Sequence, residues 1–244
     1  MNRKRDVIIA CDFASAAQTY EFLNLFGETR PFVKIGMELF YAEGPEIVRE
    51  LKRRGHRVFL DLKLHDIPTT VKKSMAVLSG LGVDICNLHA AGTAAMMAAA
   101  LEGLTRPDGT RPLLIAVTQR TSTDQRALEE EILIRRPMAQ VVTAYAKNAK
   151  TAGLDGVVCS PLEAAVVHEA CGRDFLTVTP GIRFADGEKG DQKRVMTPAD
   201  ARAAGSDFIV VGRPITASAD PAAAYRRCMA EFAEDGKEKD GNDN

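Results

Sequence analysis

Tryptophan is absent from this chain, and tyrosine is scarce, with four among 244 residues. Ten phenylalanines bring the aromatic content only to 6%, so there is no obvious platform on which nucleic-acid bases would stack. Charge of one sign is lacking as well: 32 basic residues face 33 acidic ones, for a formal net charge of −1. No global field draws in nucleic acid or an anionic membrane. Cysteine is thinly spread, at Cys11, Cys86, Cys159, Cys171 and Cys228. The number is odd and no C-x-x-C pair occurs, which argues against a disulfide framework and against structural zinc. Cys11, Cys86 and Cys159 lie inside apolar runs, where a thiol behaves as a small buried hydrophobe. Long apolar runs are missing too: none approaches the roughly 20 residues that span a bilayer, and no signal-type apolar region follows the basic start. The expectation is a soluble, cytoplasmic protein without nucleic-acid or membrane partners.

What is present is a repeated alternation. The chain is 45% hydrophobic, enough for one large core. Eight short β-rich runs begin at Val7, Phe32, Val58, Ile85, Leu113, Gly156, Leu176 and Phe208. Each is almost continuously apolar, as in strands covered on both faces of a parallel sheet. Between them the spacing predicts helices, including Ala16 to Phe26, Gly44 to Arg54, Thr69 to Gly80, Thr93 to Gly103 and Met138 to Ala152. Gly55, Gly82 and Gly153 follow helical patterns where a left-handed cap is wanted. Thr197-Pro198 reads as an N-cap followed by proline at the first helical position. Eight βα units imply a closed (β/α)8 barrel formed as a single domain by residues 1–232. A doubly wound open sheet is the less fitting alternative, and the polar tail 233–244 is expected to be disordered.

In such barrels the chemistry sits at the C-terminal ends of the strands. The polar residues there include Asp12, Lys34, Asp61 with Lys63, His89, Thr118, Ser160 and Arg213. Asp61 and Lys63 are two apart and share one strand face; Lys34 on the neighbouring strand can approach the same carboxylate. Burial alone drives a lysine towards the neutral form, whereas flanking carboxylates keep it an ammonium. A Lys34–Asp61–Lys63 array is therefore suited to proton donation, although ion-pair networks at strand ends also serve structure alone. Asp66 lies within about 10 Å of chain from Lys63; it can fold back on that lysine or project into a neighbouring subunit. After the seventh run comes Pro180-Gly181-Ile182-Arg183, then a polar stretch from Phe184 to Arg194 with the character of a lid. After the eighth comes Gly212-Arg213-Pro214, at the position where barrels commonly hold phosphate. The four histidines show no ligand-spaced cluster, and no metal site is expected.

Taken together, Asp61-Leu-Lys63-Leu-His-Asp66-Ile-Pro-Thr-Thr70, Val117-Thr118 to Thr121-Ser122, Gly156 to Pro161, Thr179 to Arg183, Asp191-Gln192 and Val211 to Pro214 resemble the orotidine 5′-phosphate decarboxylase family. The resemblance runs in order from about Val7 to Phe232. It implies a cofactor-independent carbon–carbon lyase that converts orotidine 5′-phosphate to UMP and CO2, acting as a homodimer with sites shared across the interface. Lys63 would protonate C6 of the pyrimidine, and Asp61 would lie near the departing carboxylate. Asp66 and Thr70 would come from the partner subunit. Asp12 and Lys34 would touch the ribose hydroxyls, and Thr121 the pyrimidine edge. Pro180 would belong to the substrate-contacting set, while Arg183, Gln192, Gly212 and Arg213 would bind phosphate. Three places depart from the family pattern: Gln119-Arg120 replace a usually apolar pair, Thr69 stands where Asn is common, and Phe184 where Pro is common. Two other readings share parts of this sequence. One is a Mg-dependent sugar-phosphate decarboxylase or aldolase relative with the same D-x-K-x-x-D strand; the other is a non-catalytic phosphate-ligand sensor.

Overall fold

The computed structural model of the chain describes residues 5–186 and 196–234. Eight parallel strands follow one another around a closed barrel: β1 (Asp6–Ala10), β2 (Phe32–Gly36), β3 (Val58–Leu64), β4 (Ile85–His89), β5 (Leu113–Val117), β6 (Gly156–Val158), β7 (Leu176–Thr179) and β8 (Phe208–Val211). Each strand begins at the residue where the corresponding apolar run begins, except β1, which starts one residue earlier. The helices are α1 (Ala16–Asn24), α2 (Met37–Glu43), α3 (Glu46–Arg53), α4 (Pro68–Ser79), α5 (Thr93–Leu104), α6 (Gln125–Glu130), α7 (Met138–Thr151), α8 (Ala164–Cys171), α9 (Pro198–Ala203), α10 (Arg213–Thr216) and α11 (Pro221–Phe232). The expected helix from Gly44 to Arg54 starts later, because Gly44 adopts φ +69° and closes α2, while Pro45 opens α3. Gly55, Gly82 and Gly153 all have positive φ, as their cap positions require. The Thr197 side chain accepts the backbone N–H of Asp200, with Pro198 next in line.

Strand alternation divides the apolar residues into two cores. Ile8, Phe32, Phe59, Ile85, Ile115, Leu176, Val178 and Phe208 belong to a cluster that fills the barrel interior. Their immediate neighbours, such as Ile9, Val33, Leu60, Cys86 and Ile209, belong to the larger cluster packed beneath the helices. The same alternation has a consequence for polar residues. Two positions beyond Phe32, Phe59 and Ile85 on the inward face stand Lys34, Asp61 and Asn87, all buried. The barrel thus changes from an apolar layer to a charged one within a single rung.

Below this, aspartates tie the strand starts together. Asp84 accepts the N–H of Val58, Asp155 that of Leu114 and Asp207 that of Thr177. His56 bonds the carbonyl of Pro31 and His168 that of Gly205, both away from the catalytic end. The five cysteines are buried and form no disulfide with one another. Burial pushes the thiols of Cys11, Cys86 and Cys228 up to about 12, which keeps them protonated at neutral pH. Among the described residues no helix is long and apolar enough to cross a membrane.

Candidate active site

The centre of the charged layer is the Asp61 carboxylate. Its Oδ1 receives the Lys63 ammonium at 2.7 Å and the Asn87 Nδ2–H at 2.6 Å. Its Oδ2 faces the Lys34 ammonium at 3.4 Å, and Lys34 also reaches the Asp12 Oδ1 at 2.8 Å. The array expected from sequence is therefore present, extended by Asp12 at one end. Burial is the largest single influence on Asp61 and favours its neutral form. Lys34, Lys63 and the hydrogen bonds from Lys63 and Asn87 outweigh that effect together, so the carboxyl lies below the ordinary carboxylate range. Burial likewise disfavours charge on Lys34, but Asp61 and Asp12 hold it above its ordinary value. Each shift strengthens the case for an ionised pair.

Lys63 reaches this position by an irregular route. The register between β3 and β4 slips between Leu60 and Leu64, and Lys63 adopts φ +52°. Simple alternation expects Asp61 and Lys63 to share a face, and both line one cavity in direct contact; the bulge sets the backbone by which the lysine gets there, as bulges beside active sites commonly do. The Lys63 backbone N–H donates to the Asn87 Oδ1 at 2.8 Å. One buried amide thus fixes both the carboxylate and the strained backbone of its lysine partner. Asn87 escapes sequence inspection because it is neutral, unaccompanied by a motif, and enclosed by Cys86 and Leu88.

Asp66 does not fold back on Lys63. Its carboxylate accepts the N–H of Ile67 at 2.6 Å, and every residue from 65 to 70, Thr70 included, is exposed. His89 is half-buried with its ring 5.7 Å from that of His65. Burial chiefly, with His65, Lys63 and Arg120, lowers its pKa, so the imidazole is neutral and no catalytic geometry surrounds it. Among the described residues no group of three or more His, Cys, Asp or Glu side chains could hold a metal.

Two cavities open at this end of the barrel. One of about 250 Å³ is lined by Lys34, Asp61, Lys63, Gln119, Thr121 and Pro180, over a floor that includes Phe59 and Val117. A second, of about 640 Å³, is lined by Arg183, Phe184, Arg213, Pro214, Ser218 and Arg227 among others. Pro180 and Val210 line the first, and Arg183 and Arg213, each three residues further along, line the second. Gly212 caps the short helix α10. Phe184 has a physical partner: the Arg227 guanidinium stacks on its ring at 4.1 Å and also pairs with Asp186 at 3.2 Å. Gln192 and most of the expected lid lie outside the described residues.

The fold and site define a (β/α)8 barrel enzyme with a lysine–carboxylate array at its strand ends. The model of the orotidine 5′-phosphate decarboxylase / HUMPS family matches residues 5–228. The orotidine 5′-phosphate decarboxylase of Bacillus caldolyticus is 58% identical over 92% of this chain and 93% of its own. That of Streptococcus pneumoniae is 55% identical over 96% and 99%. The crystal structure of orotidine 5′-phosphate decarboxylase from Lactobacillus acidophilus superposes with a TM-score of 0.84 at 44% identity, covering 94% of this chain and all of the other. This chain belongs to the orotidine 5′-phosphate decarboxylase / HUMPS family.

Two outcomes follow from the array itself. Asp61 is depressed, so its contribution to stability is present above the unfolded carboxylate pKa and lost as pH falls through the folded one; Lys34 is raised, so its contribution is present below the unfolded lysine pKa and lost as pH rises through the folded one. Lys34→Met should cost about 3 kcal/mol at pH 7 and shift the acid-side loss of stability to higher pH, read by urea unfolding from about pH 2 to 7. An unchanged profile would contradict the buried pairing. At position 63, Gly should be more stable than Ala by about 1 kcal/mol because of the positive φ; equal or greater stability for Ala would mean that no strain is stored there.

Proposed function

We propose that the chain decarboxylates orotidine 5′-phosphate to UMP and CO2, with residues 1–232 acting as one catalytic unit. The observation that carries this reading is the Asp12–Lys34–Asp61–Lys63 array, buried at Lys34 and Asp61, in which an ammonium is held at a fixed place beside a small cavity. The C6–carboxylate bond breaks, CO2 leaves, and the electron pair stays on C6 in the plane of the ring. The ring π-system does not delocalise that pair. The Lys63 ammonium stabilises it electrostatically and then transfers its proton to C6. Asp61 stands next to the departing carboxylate and keeps the ammonium oriented. Because the array is already assembled, little reorganisation accompanies the charge change. No metal or organic cofactor takes part in these steps.

The cavities divide the remaining work. Thr121 and Pro180 contact the base, Asp12 and Lys34 the ribose hydroxyls, and Arg183 with Gly212, Arg213 and Gln192 the phosphate. Phosphate binding remote from the reacting carbon then contributes to holding the base against the array. We place Asp66 and Thr70 in the partner's site of a homodimer. Their exposure supports this, as does that of Ile67 and Val77, 66% and 68% accessible beside them, since apolar side chains so placed gain from being covered. The protein would act in the cytoplasm.

Orotidine 5′-phosphate incubated with the protein should lose its absorbance signature as UMP forms, at a rate unaffected by EDTA. Inhibition by EDTA would favour a Mg-dependent sugar-phosphate enzyme, and UMP binding without turnover a phosphate-ligand sensor. Mixing inactive Lys63→Ala and Asp66→Ala chains under conditions of subunit exchange should restore up to about one quarter of the sites, since random pairing leaves one intact site in each heterodimer. No recovery despite proven exchange would exclude a shared site.

A further inference from the structure

We infer that Gln119 recognises the imide edge of the bound base, an inference that rests on the pyrimidine nucleotide reading above. Gln119 is only 9% exposed, yet it forms no hydrogen bond with any other described residue. Buried carboxamides are almost always paired, because leaving one unpaired forfeits its hydration without return. An exception at the wall of a cavity therefore points to a partner that arrives from outside.

The place of Gln119 at the strand end puts it at the cavity. Val117, the last residue of β5, lines the small cavity, whereas Thr118 donates its hydroxyl to the Val158 carbonyl at 3.0 Å. Beyond it the chain leaves the strand, and Gln119, Arg120, Thr121 and Ser122 all line the cavity. The polar groups around Asp61 do not compete for it: Lys34, Lys63 and Asn87 all converge on that carboxylate. What remains for Gln119 is a neutral ligand group. A primary carboxamide offers an acceptor oxygen beside donor N–H groups. Its natural complement is a ring edge carrying a carbonyl beside an N–H, which is the imide edge of a uracil-type base. A 4-amino pyrimidine presents acceptor and donor in exchanged positions, which an unpaired amide meets by turning over, so the contact reads a paired donor–acceptor edge and not one base alone. This also gives a role to a polar residue that stands where the family pattern is usually apolar.

The test measures binding of UMP, CMP and ribose 5-phosphate by calorimetry to wild type, Gln119→Met and Gln119→Glu. Methionine keeps the volume and removes the amide; glutamate keeps size and polarity but loses the donor. Both variants should bind UMP about tenfold more weakly, with CMP, whose edge the amide meets by turning over, weakened in parallel. Ribose 5-phosphate, which lacks the base, should bind as to wild type. In turnover, KM for orotidine 5′-phosphate should rise by a similar factor with kcat little changed, as for a contact made equally in ground and transition states. Unchanged UMP affinity in both variants would overturn the inference. So would parallel losses for UMP and ribose 5-phosphate, which would mark Gln119 as structural. Failure of the wild type to bind UMP at all would instead remove the functional reading beneath it.

Discussion

The site depends on one carboxylate being shared. Asp61 sits in the barrel directly above its apolar layer, and an isolated ion there would be neutralised or would unfold its surroundings. It stays ionised because two ammonium groups and an amide converge on it. The dependence runs both ways. Without Asp61, Lys34 and Lys63 would be two cations crowding one cavity, and the bulge that turns Lys63 inward would lose its purpose. Asn87 closes the arrangement, since it donates to the carboxylate and accepts from the Lys63 backbone. A stabilising network and a strained backbone are thereby built from the same few atoms, as is common where geometry serves function.

Much of this was legible before any coordinates. The eight strand starts stand out because a parallel barrel buries both faces of every strand, so each reads as an unbroken apolar run. Asp12, Lys34, Asp61 and Lys63 stand out because charges at the ends of such runs are hard to explain otherwise. Asn87 did not, because a neutral polar residue in mid-strand carries no pattern of its own; only its register opposite Asp61 and Lys63 reveals it. Gln119 was visible as a departure from family pattern, but its unpaired burial is a property of three dimensions. Alternation brings Asp61 and Lys63 together as found, but the bulge and the positive φ of Lys63 leave no mark in a pattern with a period of two. Spacing starts a helix at Gly44 and leaves α2 unread; Gly44, at φ +69°, closes α2 and stands outside α3.

The two cavities suggest how binding and chemistry are kept apart. Arginines 183 and 213 line the larger one, and the lysine array lines the smaller. A nucleotide spanning both would anchor its most highly charged group well away from the carbon that reacts. Binding energy gathered there can be used to hold the base against an ammonium that would otherwise prefer water. Phe184, pinned between α11 and the strand end by the Arg227 stack, shows that the rim of the larger cavity has its own internal support.

The central claim is that the Lys63 ammonium supplies the proton that replaces CO2. It is tested most directly by following CO2 release from orotidine 5′-phosphate in D2O by wild type and by Lys63→Ala, with UMP affinity measured on both. Wild type should give UMP carrying one solvent-derived deuteron at C6. Lys63→Ala should still bind UMP but release CO2 at least about 10³-fold more slowly. Turnover by Lys63→Ala at a rate comparable to wild type would contradict the account.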